Sequence, residues 1–64
     1  MENVKIGDTI RIVRMADNGG RDLQARNYNG RIGRVEHIDT LGQMHGRWGG
    51  LAVIPEVDEY EIIG

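Results

Sequence analysis

The last third of the sequence places the strongest constraint on the fold. The apolar residues 51–54 lead into Pro55, which lacks a backbone N–H and therefore ends a strand. The acidic residues that follow predict a 3₁₀-type turn over positions 55–58. Residues 59–63 then place charged and apolar side chains in alternation, a pattern typical of a half-buried strand. We therefore expect a strand, one turn and a closing strand in direct succession.

Two strands are predicted in the first half of the chain. Residues 9–15 begin by alternating polar and apolar side chains, which indicates a strand with one buried face. Residues 31–38 predict a second strand, in which Ile32 and Val35 are the expected core residues. The mixed pattern of this segment favours a bulge or strong coiling near Gly33.

A hairpin is predicted between the third and fourth strands. In the third strand, residues 43–48, alternation places Met44, Gly46 and Trp48 on one face, which we expect to point inward. The two glycines at positions 49–50 suit the positive-φ positions of a two-residue turn. This hairpin is expected to bring Met44 and Trp48 into one core with Leu51, Val53 and Ile62.

A long polar connection, residues 16–29, separates the first two strands. It is too rich in Gly and Asn for a core strand, and loops of such length are often functional. Asp22 is a candidate N-cap for one helical turn over residues 23–26, with Leu23 as the expected anchor to the sheet. The sequence therefore predicts a structured turn within an otherwise irregular loop.

Five short strands with glycine-rich turns predict one all-β domain over residues 1–64, closed or nearly closed to protect its edges. Four motifs together resemble a small family of bacterial and phage SH3-like β-barrels, catalogued as a domain of unknown function. They are GDTIRIVRM (7–15), GRIGRVEHID (30–39), MHGRW (44–48) and LAVIPEVDEYEII (51–63). The resemblance covers nearly the whole chain, although the family pattern has a longer hairpin after the tryptophan. It implies a five-stranded SH3-like barrel and a phage or mobile-element context, and it implies no activity. The first loop, residues 16–29, is longer in this chain than is usual in the family.

Several residue types that support catalysis are missing. The chain has no Cys, and it also lacks Ser, so the two commonest covalent nucleophiles are absent. His37 and His45 are too few for a zinc site, and the carboxylates lack the spacing of a calcium loop. We expect a non-enzymatic protein without metal or cofactor. The polar first residues and the lack of a long apolar stretch predict a cytoplasmic protein without membrane contact.

The charges are sorted along the chain, although the net charge is only -2. Residues 9–35 carry six Arg against two Asp, whereas residues 48–64 carry four acids and no Lys or Arg. Arg and Tyr are enriched at binding hot spots, so we expect residues 16–29 and the arginine face to bind a protein partner. The candidate contact residues are Arg21, Arg26 and Tyr28, together with Arg14 and Arg47. Tyr28 is equally well interpreted as an anchor that packs over the end of the barrel.

Two other functions remain open. In the first, a nucleic-acid-binding barrel would use its arginines on phosphate and Tyr28 on a base, although the net acidity argues against it. Those arginines are Arg11, Arg14, Arg31, Arg34 and Arg47. In the second, a small acidic phage protein would inhibit a host defence nuclease by occupying its basic channel. That acidic face would consist of Glu56, Asp58, Glu59 and Glu61.

Overall fold

The computed structural model describes residues 4–16 and 22–64, which form one antiparallel sheet and one short helix. In chain order the elements are β1 (Thr9–Arg14), α1 (Leu23–Arg26), β2 (Ile32–Ile38), β3 (Met44–Gly46), β4 (Gly49–Val53) and β5 (Glu59–Ile62). The strand order is β4-β3-β2-β1-β5, so β1 pairs with both β2 and β5. The predicted all-β class is confirmed, but the sheet is not closed. No helix in the described residues is long and apolar enough to cross a membrane.

The core lies on the face of the sheet to which Ile10 and Ile12 of β1 point. Both side chains are fully buried, and they lie opposite Ile62 and Tyr60 of β5. The other buried apolar residues are Met15, Ala25, Tyr28, Val35, Met44, Trp48 and Val53. Leu51 and Ile62 are partly buried against this cluster. The prediction that Met44, Trp48, Leu51, Val53 and Ile62 share one core is therefore confirmed.

The second strand departs from the prediction in its core residues. Val35 is fully buried as expected, but Ile32 is 55% exposed. Ile32 pairs with Arg11 and Gly33 with Ile10 in regular register, and the irregularity lies further on, between Val35 and His37. Without a bulge at Gly33, two residues three positions apart in a strand must point to opposite faces. The core role of Ile32 and the bulge at Gly33 are therefore both wrong, while the alternative of strong coiling stays a prediction.

The hairpin between β3 and β4 turns two residues earlier than predicted. β3 ends at Gly46, which pairs with Gly49, so the turn consists of Arg47 and Trp48 and not of the glycine pair 49–50. Gly49 lies at the start of β4, where its φ of 133° suits glycine. The early turn lets the Trp48 ring fold back over the backbone of Gly46. Trp48 is buried as predicted, and its Nε1 donates a hydrogen bond to the carbonyl oxygen of Leu51 at 2.7 Å.

The predicted helical turn in the first loop is present as α1. The Oδ1 atom of its N-cap, Asp22, accepts a hydrogen bond from the backbone N–H of Ala25 at 3.0 Å. Leu23, the expected anchor, is largely exposed, whereas Ala25 and Tyr28 are buried. Residues three apart lie on the same side of a helical turn. Here the buried side is the one that carries Ala25 and Tyr28. The anchoring role predicted for Leu23 is therefore wrong.

A tight turn joins β4 to β5. The backbone N–H groups of Val57 and Asp58 both donate to the carbonyl oxygen of Ile54, at 3.1 and 2.8 Å. The first of these is an i to i+3 bond, as in the predicted 3₁₀-type turn. β5 then runs beside β1, and the pairing is extended by a hydrogen bond from Ile63 N–H to Thr9 O. The segment after the turn thus pairs with β1 and forms an edge of the sheet.

Candidate protein-binding surfaces

Tyr28, Arg31, Trp48 and Leu51 form a closed cycle of contacts, which we call the corner cluster. The guanidinium carbon of Arg31 lies 4.1 Å from the centre of the Tyr28 ring. Nη1 of Arg31 donates to Trp48 O at 2.7 Å, and Trp48 Nε1 donates to Leu51 O. The Tyr28 hydroxyl accepts the backbone N–H of Leu51 at 3.4 Å, which completes the cycle. The corner cluster therefore fastens the segment after α1 to the hairpin of β3 and β4.

Tyr28 is buried within the corner cluster. The side chain is only 6% exposed, and a Cβ atom on Gly49 would lie 2.8 Å from its ring. Its hydroxyl also satisfies a backbone group of β4, which is an edge strand of the open sheet. Of the two interpretations of Tyr28, the anchor agrees with this geometry, and a surface contact does not.

The arginines proposed for partner binding lie in different elements. Arg14 ends β1 and Arg26 ends α1, and both are exposed. Arg47 lies in the turn after β3 and is also exposed, but its Nε donates to Glu36 Oε2 at 3.0 Å. Arg21 lies outside the described residues. The Tyr28 ring stacks on Arg31, which is not one of the five candidate contact residues.

The four carboxylates of the C-terminal segment do not form one exposed face. Asp58 is buried, and its two oxygens accept the backbone N–H groups of Ala16 and Ile54 at 2.8 and 2.7 Å. Glu61 forms an ion pair with Arg11. Of the four, only Glu56 and Glu59 are largely exposed. Asp58 is thus an internal brace between the end of β1 and the turn before β5, and the predicted inclusion of Asp58 in an exposed acidic face is wrong.

A groove lies between the end of β1, α1 and the segment from β4 to the following turn. We call it the loop groove, and its volume is about 170 Å³. It is lined by Met15, Ala16, Asp22, Ala25, Leu51, Ala52, Ile54, Val57 and Asp58. Most of these residues are apolar, and Val57 is 58% exposed. Sequence analysis missed this groove because its walls come from four separate segments, although an apolar Val57 between acidic neighbours was a signal of it.

A second groove, of about 540 Å³, lies beside the start of the described chain. We call it the basic groove. It is lined by Ile6, Gly7, Arg34, Val35, Glu36 and Arg47. The two grooves share no lining residue. The candidate contact residue Arg47 therefore belongs to a different surface from the loop that contains Arg26 and Tyr28.

Asp39 organises the turn between β2 and β3. Its Oδ1 accepts the backbone N–H groups of Leu41 and Gln43 at 2.9 and 3.0 Å, and its Oδ2 lies 3.0 Å from Nε2 of His45. The hydrogen bond from His45 is the largest cause that holds the pKa of Asp39 below its ordinary value of 3.8. The His45 ring lies 5.7 Å from that of His37 on the paired strand. Within the described residues, no three His, Cys, Asp or Glu side chains are arranged to hold a metal ion.

Asp39 is expected to make stability depend on acid. Because its pKa is lower in the folded than in the unfolded protein, it stabilises the fold above about pH 4 and loses this effect as the pH falls through its folded pKa. Asp39→Asn should therefore lower the urea midpoint at pH 7, and the difference from the parent protein should shrink towards pH 3. A difference that stayed constant between these pH values would contradict the assignment.

Comparison of the chain with protein-family models, with curated proteins and with solved structures finds no match. Its function therefore has to be inferred from the geometry of its surfaces.

Proposed function

We propose that this chain is a non-enzymatic module that binds a protein partner through the loop groove. The observation that carries the proposal is an apolar groove with walls that are fixed in the free protein. Ligand sites in proteins are typically concave, mostly apolar and largely preformed. A preformed site spares the entropy of ordering its walls when the partner binds.

Internal contacts hold both walls of the loop groove. On one side, α1 is capped by Asp22, and the segment after it is fastened by Tyr28 of the corner cluster. On the other side, Asp58 fixes the turn that carries Val57 through its hydrogen bond with Ile54. The same carboxylate accepts the N–H of Ala16 and so ties this turn to the end of β1. An apolar side chain of a partner would enter between α1 and Val57.

We further propose that the fold is an SH3-like barrel in which the corner cluster replaces direct strand closure. Support comes from the strand order, in which four consecutive strands are neighbours and β5 returns beside β1. The tight turn before β5 is a second supporting feature. The contacts of Tyr28 and Arg31 with the β3–β4 hairpin join that hairpin to a segment that is hydrogen-bonded to Ile12 of β1, the strand beside β5. In such a barrel the loop groove lies beside the first loop.

A protein partner fits the charged residues better than a nucleic acid does. Among the five arginines assigned to phosphate, Arg11 pairs with Glu61, Arg47 pairs with Glu36, and Arg31 donates to a backbone carbonyl. Tyr28 is too buried to stack on a base. The net charge of -2 also opposes a polyanion. These observations favour an apolar contact over phosphate binding.

The test compares two exposed apolar side chains on different surfaces. Val57 lines the loop groove and is 58% exposed, whereas Leu41, in the turn between β2 and β3, is 75% exposed and lies outside both grooves. Val57→Arg and Leu41→Arg are both surface changes, which alter stability by about 0.5 kcal/mol or less. In pull-downs from cell lysate quantified by mass spectrometry, one partner should be retained by the parent protein and by Leu41→Arg but lost by Val57→Arg. Equal retention of that partner by both variants would refute the loop groove as its site.

A further inference from the structure

The basic groove has features that the proposed function does not use. Its floor is the buried Val35, and its rim carries two guanidinium groups and one carboxylate. Arg47 and Glu36 pair with each other at 3.0 Å and largely cancel in charge. Arg34 forms no ion pair with any residue in ranges 4–16 and 22–64. Within the part of the chain that the structure describes, Arg34 is therefore the one charge of the groove without an ion-pair partner.

The position of Arg34 leaves its guanidinium available to a ligand. A Cβ atom on Gly7 would lie 3.6 Å from Nη2 of Arg34, so the guanidinium lies over a residue that has no side chain. Arg34 pairs with Thr9 in the regular part of the β1–β2 register, which fixes the direction of its side chain. A guanidinium offers planar donors that bind a carboxylate in a bidentate manner. Gly7 leaves open the space in which such a carboxylate would lie.

The same groove also has an exposed apolar wall. Ile6 is 61% exposed, although it lies next to a segment that is hydrogen-bonded to β2 through Gly7 N–H and Val35 O at 2.8 Å. A large apolar side chain held beside the Arg34 guanidinium suits a ligand that carries both a carboxylate and an apolar group. The charge and the apolar surface of the groove thus specify complementary parts of one ligand.

We infer that the basic groove binds a short acidic segment of a protein, with a carboxylate on Arg34 and a neighbouring apolar side chain on Ile6. This surface is separate from the loop groove, and the inference does not depend on the function proposed for that groove. A short segment is favoured over a nucleic acid because residues 48–64 carry four acids and no Lys or Arg. A long polyanion would meet that acidic segment, and a peptide confined to the groove would not.

The test is an NMR titration of the ¹⁵N-labelled protein with a short, capped peptide of alternating Glu and Leu residues. The expected result is a set of shifts concentrated on the backbone amides of Ile6, Gly7, Val35 and Arg47. Arg34→Gln should weaken binding about tenfold, as expected for the loss of a charge-assisted hydrogen-bonded contact. The matched control Arg14→Gln removes an exposed arginine that lies outside both grooves and should change the affinity by less than about twofold.

Several outcomes would overturn the inference. One is the absence of shifts at millimolar peptide, and another is a pattern of shifts centred on the loop groove. If Arg34→Gln and Arg14→Gln weakened peptide binding equally, binding would depend on general charge attraction and not on a contact with Arg34. A peptide in which Lys replaces Glu must not bind the groove. If inorganic phosphate or a single-stranded oligonucleotide produced the same shifts at equal or lower concentration, the groove would be a general anion site and not a site for an acidic protein segment.

Discussion

Replacing Tyr28 with Ala is expected to destabilise the protein by about 3–5 kcal/mol, the usual cost of removing a large buried aromatic side chain. The substitution removes a buried ring, the stacking partner of Arg31 and the acceptor for the N–H of Leu51. The total stability of small domains is often only about 5 kcal/mol. We therefore expect Tyr28→Ala to be largely unfolded at 37 °C, as measured by circular dichroism and urea titration.

Two further variants separate the contributions of Tyr28. Tyr28→Phe keeps the ring and loses only the long hydrogen bond to Leu51, so it should cost about 1 kcal/mol. Arg26→Ala changes an exposed residue of α1 and should cost about 0.5 kcal/mol or less. If Tyr28→Ala kept the melting temperature of the parent protein but lost the partner, Tyr28 would be a contact residue after all, as the sequence alone allowed.

The second large effect is expected at Gly46. A Cβ atom at this position would lie 2.5 Å from the Trp48 ring, and even closer to the carbonyl oxygen of Arg34. The indole is held on its other side by its hydrogen bond to Leu51, and the carbonyl belongs to β2, so neither can move away easily. Gly46→Ala should cost about 3 kcal/mol or more, at the upper end for overpacking. The fluorescence of Trp48, the only tryptophan, reports the loss of packing directly.

A matched glycine provides the control. Gly50 lies in β4 four positions from Gly46, and a Cβ atom on it would meet no heavy atom within 4 Å. Its φ is not positive, so alanine fits the backbone as well as the space. Gly50→Ala should leave the urea midpoint unchanged or raise it slightly. Similar midpoints for Gly46→Ala and Gly50→Ala would show that Trp48 does not pack tightly on Gly46.

Several features of the surfaces could not be predicted because they depend on contacts between distant segments. Tyr28 and Leu51 are far apart in the chain, and nothing in either segment shows that the hydroxyl of one meets the N–H of the other. Asp58 has the same sequence context as its exposed acidic neighbours, yet it is buried because Ala16 supplies a donor from the end of β1. The local sequence pattern predicts the exposure of a charged side chain only when no backbone N–H of a distant segment needs that side chain as a hydrogen-bond acceptor.

The sequence by itself determined the elements whose signals are local. The alternation in β1, the stop at Pro55, the cap at Asp22 and the return of β5 all depend on a few neighbouring residues, and each was predicted correctly. The tertiary structure alone decided where the β3–β4 hairpin turns, because packing of Trp48 on Gly46 outweighed the preference of two adjacent glycines for a turn. It likewise decided that the Ile32 side chain faces solvent and not the core, and it brought Ile6 and Arg34 into one groove. The intrinsic preferences of residues for strands and turns differ by about 1 kcal/mol, whereas burying one large aromatic side chain stabilises the fold by more than that. Burial therefore prevails where the two conflict.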